Sequence, residues 1–260
     1  TKPDSMKGRG HRVQPSNVKL IAAKHAIPIL QPEKLQDAYE ELSTYRDSVG
    51  VLVSYGKIIP QNIIDLFKPG IINVHPSLLP KYRGPSPIES SIAAGDSMTG
   101  VSIMQLSSRM DAGGVYTARD YPIASNETGP GLRDTLAKIG AKLLVDTLPE
   151  IIHGTLQPNP QNETDATYCH LLRKEDGDLN LSKISAHEAE RRVRAYLDYP
   201  KSRLSYDGHT MIIKKSHVSA IKNSPLDFVC LDGEFLCVDE LIAPSGKTMD
   251  AEAFLRGYSS

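Results

Sequence analysis

Val49-Gly50-Val51-Leu52-Val53-Ser54, a helical stretch over residues 60–67 closed by Pro69-Gly70, and then Ile71-Ile72-Asn73-Val74-His75 make a strand, helix, strand succession that decides the class of fold. The first run is almost continuously apolar, which predicts a strand buried on both faces. The second is a short apolar strand that carries two polar residues. The alternation continues outward on both sides. Toward the start, residues 17–24 predict a helix with Ser16 or Asn17 as N-cap, followed by apolar Ile27-Pro28-Ile29-Leu30 and a polar helical stretch over 32–45. Toward the end come a helix over 86–94 stopped by Gly95, a strand over 99–106, a turn-rich loop Arg109-Met110-Asp111-Ala112-Gly113-Gly114, a strand over 115–123 and a long helix over 131–152. Strand alternating with helix at this spacing predicts an α/β fold with a doubly wound, mainly parallel sheet.

Beyond residue 153 the character changes. Residues 153–180 are rich in Pro, Asn, Gln and Asp without a clear period, so a first domain is placed at 1–155 and a linker at 156–180. In 181–260 a charged amphipathic helix over 185–197 precedes short strand candidates at 202–206, 210–215, 228–231 and 234–238, which predict a small β-barrel.

Composition narrows the function classes. A chain of 260 residues, 40% hydrophobic and 23% charged, can bury a substantial core. Its net charge of −1 excludes a uniformly basic coat, so any contact with an acidic partner comes from local clusters of Lys and Arg. Cys169, Cys230 and Cys237 are odd in number and lack C-x-x-C spacing. They predict neither a disulfide framework nor a zinc site, but free thiols in a reducing cytoplasm. No run of 18 or more apolar residues is present, so no spanning helix and no membrane partner are expected.

The chemistry is sought where the strands end. Residues i and i+2 of a strand share a face, so Asn73 and His75 project together from the carboxyl end of a buried strand, where open α/β sheets bind ligands. An amide beside an imidazole can hold a developing oxyanion and move a proton, which are the needs of acyl transfer to an amine. A hydrogen-bonded strand terminus explains the same two residues. Asp111 lies in a Gly-flanked loop past the next strand, beside His75 if the strands are parallel; ordinary turn chemistry is its alternative explanation.

The surroundings of the triple are more specific. Asn73-Val74-His75-Pro76-Ser77-Leu78-Leu79-Pro80-Lys81-Tyr82-Arg83-Gly84, then Pro87-Ile88, Thr99-Gly100-Val101 and Asp111-Ala112-Gly113, resembles the signature of the folate-dependent formyltransferases. The resemblance implies a Rossmann-like catalytic domain followed by an OB-like barrel, with Asn73, His75 and Asp111 as catalytic residues and no metal. It implies that Ser77, Leu78, Leu79 and Pro80 hold the folate of 10-formyltetrahydrofolate, the formyl donor. The run Ser54-Tyr55-Gly56-Lys57-Ile58-Ile59-Pro60 resembles the family's pterin-side loop, placing Tyr55, Gly56, Lys57 and Ile58 at the folate.

The two ends of the chain bear on the acceptor. Thr1-Lys2-Pro3-Asp4, Gly8-Arg9-Gly10, Pro15-Ser16-Asn17-Val18-Lys19 and Gln31-Pro32 resemble the branch of the family that formylates initiator methionyl-tRNA for translation initiation. Lys7, Arg9, His11 and Arg12, on a Gly-bearing loop with Asp4 as its one nearby acid, suit phosphate contacts. An ordinary solvated loop has the same composition. The appended barrel resembles that branch's tRNA-holding domain, and Arg191, Arg192, Arg194, Lys201, Arg203, Lys214, Lys215 and Lys222 are its candidate basic face. Members of the family carry a strand, a helix and a strand ahead of the Thr1-Lys2-Pro3-Asp4 equivalent, which this sequence lacks; exposed apolar surface and unpaired strand groups are expected there. The expected molecule is a cytoplasmic monomer. An amino-sugar formyltransferase with the same centre, and a catalytically silent RNA-binding homologue, stay open as alternatives; the Gly-Arg-Gly stretch argues against the first and the intact triple against the second.

Overall fold

A computed structural model describes residues 1–7 and 12–258, with the side chains of Lys7 and Arg12 outside the description. A short hairpin, β1 (Ser5–Lys7) and β2 (Arg12–Gln14), pairs Lys7 opposite Arg12. Helix α1 (Asn17–Lys24) begins where the sequence predicts, because the Ser16 hydroxyl accepts the Lys19 amide at 3.1 Å. The polar stretch after it yields a 3-10 turn over Leu35–Ala38 and a short α2 (Tyr39–Ser43). Then follow β3 (Gly50–Leu52), α3 (Gln61–Ile64), β4 (Ile71–His75), α4 (Pro87–Ala94), β5 (Met98–Gln105), β6 (Val115–Pro122) and the long α5 (Gly129–Ile152). The remainder is α6 (Ala186–Ala195), β7 (Arg203–Tyr206), β8 (His209–Ser219), β9 (Asp227–Val229), β10 (Phe235–Ile242), β11 (Thr248–Asp250) and α7 (Ala251–Tyr258).

The first sheet runs β3-β4-β5-β6, with β3 parallel to β4 in the register Gly50↔Ile71, Val51↔Ile72, Leu52↔Asn73. Contacts group the chain into two compact units, Thr1–His75 with Ile103–Thr117 and Leu144–Gln161, and Pro76–Ser102 with Ala118–Leu143 and Asn162–Ser260.

In the first unit, β4 is the buried strand that the apolar run of residues 71–75 implies, with Ile71, Ile72, Asn73 and His75 all buried. The expectation for residues 49–54 needs correction. Val51 and Val53 are 44% and 58% exposed, and among the described residues β3 stands at the end of the strand order, paired with β4 alone, rather than in the middle of the sheet. Helix α1 likewise buries none of its residues, and Val18, Leu20 and Ile21 are exposed.

In the second unit, β11-β10-β8-β7 form an antiparallel sheet, with β9 also on β10. It curls over a cluster that includes Leu179, Val193, Met211, Leu226, Leu236 and Phe254. Each such side chain, fully buried, contributes roughly 1.5–3 kcal/mol. Helix α4 ends at Gly95, whose φ of +83° suits glycine; a Cβ there would stand 2.9 Å from the Arg191 Nε, which donates to the Ala93 carbonyl at 3.1 Å. Arg191 therefore ties α6 to α4.

The period-less stretch after α5 is held by partners distant in sequence. In the first unit, Val115 and Asn159 exchange backbone hydrogen bonds at 2.8 and 2.9 Å. In the second, the Arg83 amide donates to the Thr167 carbonyl and the Cys169 amide to the Arg83 carbonyl, both at 2.8 Å. Two 3-10 turns, Glu163–Asp165 and Lys174–Gly177, lie in the same stretch.

Candidate active site

Strand β4 brings Asn73 and His75 to one face and buries both, at 7% and 4% exposure. Asp111 comes from the loop after β5. Its Oδ2 stands 3.7 Å from the His75 Nδ1, an ion-pair separation longer than a hydrogen bond. The three residues that sequence spacing selects are thus brought into one unit, with the His–Asp pair facing. The loop itself is tightly specified. Asp111 has a φ of +46°, in the left-handed region that non-glycine residues seldom occupy. Gly113 lies against the Gln105 carbonyl so closely that a Cβ would collide with it.

The loop over residues 77–80 is pre-set by hydroxyls in the second unit. The Ser102 hydroxyl donates to the Ser77 carbonyl at 2.8 Å and accepts the Leu79 amide at 3.1 Å, while the Ser77 hydroxyl donates to the Lys81 carbonyl at 2.6 Å. A Cβ on Gly100 would stand 2.6 Å from the Leu78 side chain, so glycine there leaves that leucine its place. Ser77 is buried, and Leu78, Leu79 and Pro80 are partly exposed, which gives a ligand both apolar side chains and loop backbone to meet.

Next in chain, Arg83 is wholly buried and bound by two parallel contacts of 3.1 Å to Glu163, with a third to the Tyr168 hydroxyl. Tyr82 donates its hydroxyl to Asp96 at 2.7 Å; burial and that carboxylate push its phenol well above the ordinary tyrosine range. Arg83 belongs to the motif that begins at Asn73, but its interior place leaves no sign in the local sequence, since its partners lie some eighty residues away.

The stretch Tyr55, Gly56, Lys57, Ile58 belongs to the first unit. Gly56 has a φ of +70°, Lys57 donates to the Glu33 carbonyl at 2.7 Å, and Ile58 is 86% exposed. Of the basic loop, Arg9 and His11 lie outside the described residues, as do the side chains of Lys7 and Arg12. Asp4, the acid near that loop, is held below the usual carboxylate range by hydrogen bonds from Lys19 and Gln31.

The basic candidates of the last domain divide into two groups. Arg192 pairs with Glu188 at 2.7 Å and Arg194 with Glu190 at 2.6 Å, each one turn along α6, and Arg203 pairs with Asp178 at 2.7 Å. With Arg191 capping α4, these arginines serve the fold. Lys214, Lys215 and Lys222 are exposed, with Lys214 3.7 Å from Glu240, and Lys201 is half-buried. Cys169, Cys230 and Cys237 are buried thiols outside any disulfide. Among the described residues no cluster of three His, Cys, Asp or Glu is arranged to hold a metal, and no helix is long and apolar enough to cross a membrane.

Residues 1–148 match the family described as formyl transferase, and residues 171–259 match its carboxy-terminal domain. A methionyl-tRNA formyltransferase of Stutzerimonas stutzeri is 36% identical over 96% of this chain and 82% of its own length; one of Pseudomonas paraeruginosa is 39% identical over 100% and 86%. The chain belongs to the formyltransferase family, in its methionyl-tRNA branch. Among solved structures, an N-formyltransferase from Helicobacter canadensis, in complex with folinic acid and dTDP-3-aminofucose, superposes with a TM-score of 0.67. It covers 92% of this chain and 86% of its own, and at 19% identity the likeness between this formyltransferase and that one is one of fold.

Proposed function

We propose that this formyltransferase transfers the formyl group of 10-formyltetrahydrofolate to the α-amine of initiator methionyl-tRNA. The observation that carries the reading is the His75–Asp111 pair, 3.7 Å apart, beside a buried Asn73 on the same strand face. The folate supplies an activated formyl carbon. Ser77, Leu78, Leu79 and Pro80, with Tyr55, Gly56, Lys57 and Ile58, are the residues proposed to bind it, a role that fits a loop whose backbone is already fixed by Ser102. Asn73 donates a hydrogen bond to the oxygen on which charge develops as the amine attacks. His75 stabilises the same charge and passes a proton to the departing folate nitrogen, while Asp111 orients the imidazole and accepts the proton of the amine.

Residues 1–155 form the catalytic part in this reading, residues 156–180 the connection, and residues 181–260 a barrel that holds tRNA together with Lys7, Arg9 and Arg12. The protein acts as a cytoplasmic monomer. Replacing Asn73, His75 or Asp111 by Ala is expected to reduce formyl transfer about a thousandfold or more with tRNA binding unchanged, read by single-turnover formylation beside filter binding. Near-normal turnover in any of the three removes the role given to it. Parallel assays with nucleotide-linked amino sugars test the other acceptor class; formylation of those in preference to methionyl-tRNA would overturn the assignment.

A further inference from the structure

Asp111 depends on a residue fifty positions away. The side-chain amide of Gln161 donates to the Asp111 carbonyl at 2.8 Å and to the Gly113 carbonyl at 2.7 Å. Two hydrogens of one NH2 group therefore bind both ends of the three-residue turn that carries the carboxylate. The same stretch of chain braces the turn's exit, where a Cβ on Gly114 would stand 2.9 Å from Pro158 and where Asn159 pairs with Val115. The turn also abuts the Gln105 carbonyl at Gly113, and the Gln105 backbone amide donates to the Gly114 carbonyl at 2.8 Å.

Such bracing has a purpose. A non-glycine residue at a φ of +46° is held in a sparsely populated conformation that persists where the surroundings over-determine it. The carboxylate of Asp111 faces His75 because of that conformation, so the donor that fixes the backbone also fixes the carboxylate.

We propose that Gln161 is a positioning residue for the reaction, holding the Asp111 turn in the conformation that aims its carboxylate at His75. The connecting segment then contributes to turnover as well as joining two domains. The inference rests on the catalytic role proposed for Asp111.

The test uses Gln161→Glu, which keeps the size but removes both N–H donors, Gln161→Ala, and Gln161→Lys, which returns N–H donors of comparable reach. For the Glu and Ala variants, kcat is expected to fall about ten- to a hundredfold, the range that a misplacement of about 1 Å costs. KM for methionyl-tRNA and for 10-formyltetrahydrofolate is expected to stay within about threefold, and Gln161→Lys to recover most of kcat. A residue of merely structural importance would instead lower the melting temperature without this split between kcat and KM. Wild-type kcat in Gln161→Glu, or a loss carried by KM, overturns the proposal, as does failure of Gln161→Lys to recover kcat; a Glu or Ala variant that does not fold is judged on the Lys variant. Asp111→Ala run in parallel separates the two claims: if it stays active the reading of the site fails, whereas if it is dead and Gln161→Glu is normal, the role of Gln161 alone fails.

Discussion

Two interiors can be set side by side. Within Pro76–Ser102 the buried residues include Ser77, Arg83, Thr99 and Ser102, whereas the cluster beneath the curled carboxy-terminal sheet is Leu, Val, Ile, Met, Phe, Ala and Cys, with Ser202 and Asp227 the buried polar residues of that part of the chain. An apolar interior is stabilised by area and tolerates changes that keep volume. A polar one costs free energy unless each group has its partner, so it persists where the partners are built in. Ser102 bonds two points of the 77–80 loop, and Arg83 finds Glu163 and Tyr168. One interior holds the protein together; the other holds atoms in place.

The comparison predicts different losses for different cuts. Phe254 is fully buried and stacks on Tyr258 with ring centroids 4.7 Å apart. Phe254→Ala is expected to destabilise the last domain by about 3–5 kcal/mol, seen as an early unfolding transition and weakened tRNA binding, while molecules that remain folded keep their chemistry. Glu163→Ala removes both carboxylate contacts of the buried Arg83 guanidinium while the Tyr168 hydroxyl stays, and should cost about 2–3 kcal/mol by denaturant titration. Unlike the first change, it should also raise KM for the folate donor, since Arg83 follows closely on the 77–80 loop. Ser102→Ala removes the acceptor of the part-buried Leu79 amide and should cost about 1 kcal/mol. Its larger signature is a several-fold rise in KM for 10-formyltetrahydrofolate, beside a fall of a few degrees in melting temperature; a rise in KM from Phe254→Ala of the same size would erase the distinction between the two interiors.

How much of this could be read from sequence depended on the range of the interactions. The N-cap at Ser16, the stop at Gly95 and the strand at residues 71–75 are local events and lie where spacing places them. Period two puts Asn73 and His75 on one face of β4, while the approach of Asp111 to His75 at 3.7 Å comes from a loop some thirty-six residues on. Residues 49–54 misled, since a continuous apolar run looks the same in the middle of a sheet as at its end. The interior place of Arg83, and the bonds from Gln161, join positions fifty to eighty apart and leave no trace in local pattern. Helix α7 and strand β11 were not foreseen, nor was the β1–β2 hairpin. The structural use of the α6 arginines was legible in principle, because Glu188–Arg192 and Glu190–Arg194 stand four apart.

The pairing of Asn159 with Val115 and of Cys169 with Arg83 also governs where the chain can be cut. A stretch rich in Pro, Asn and Gln is where a protease would ordinarily be expected to nick between two domains. Here the backbone must first leave its hydrogen bonds to enter a protease cleft, so cleavage follows the population of a locally opened form and its amide protons exchange slowly with solvent. The Asp207-Gly208 turn, where a side chain on the glycine would meet nothing within 4 Å, is the place where an inserted residue is expected to disturb least.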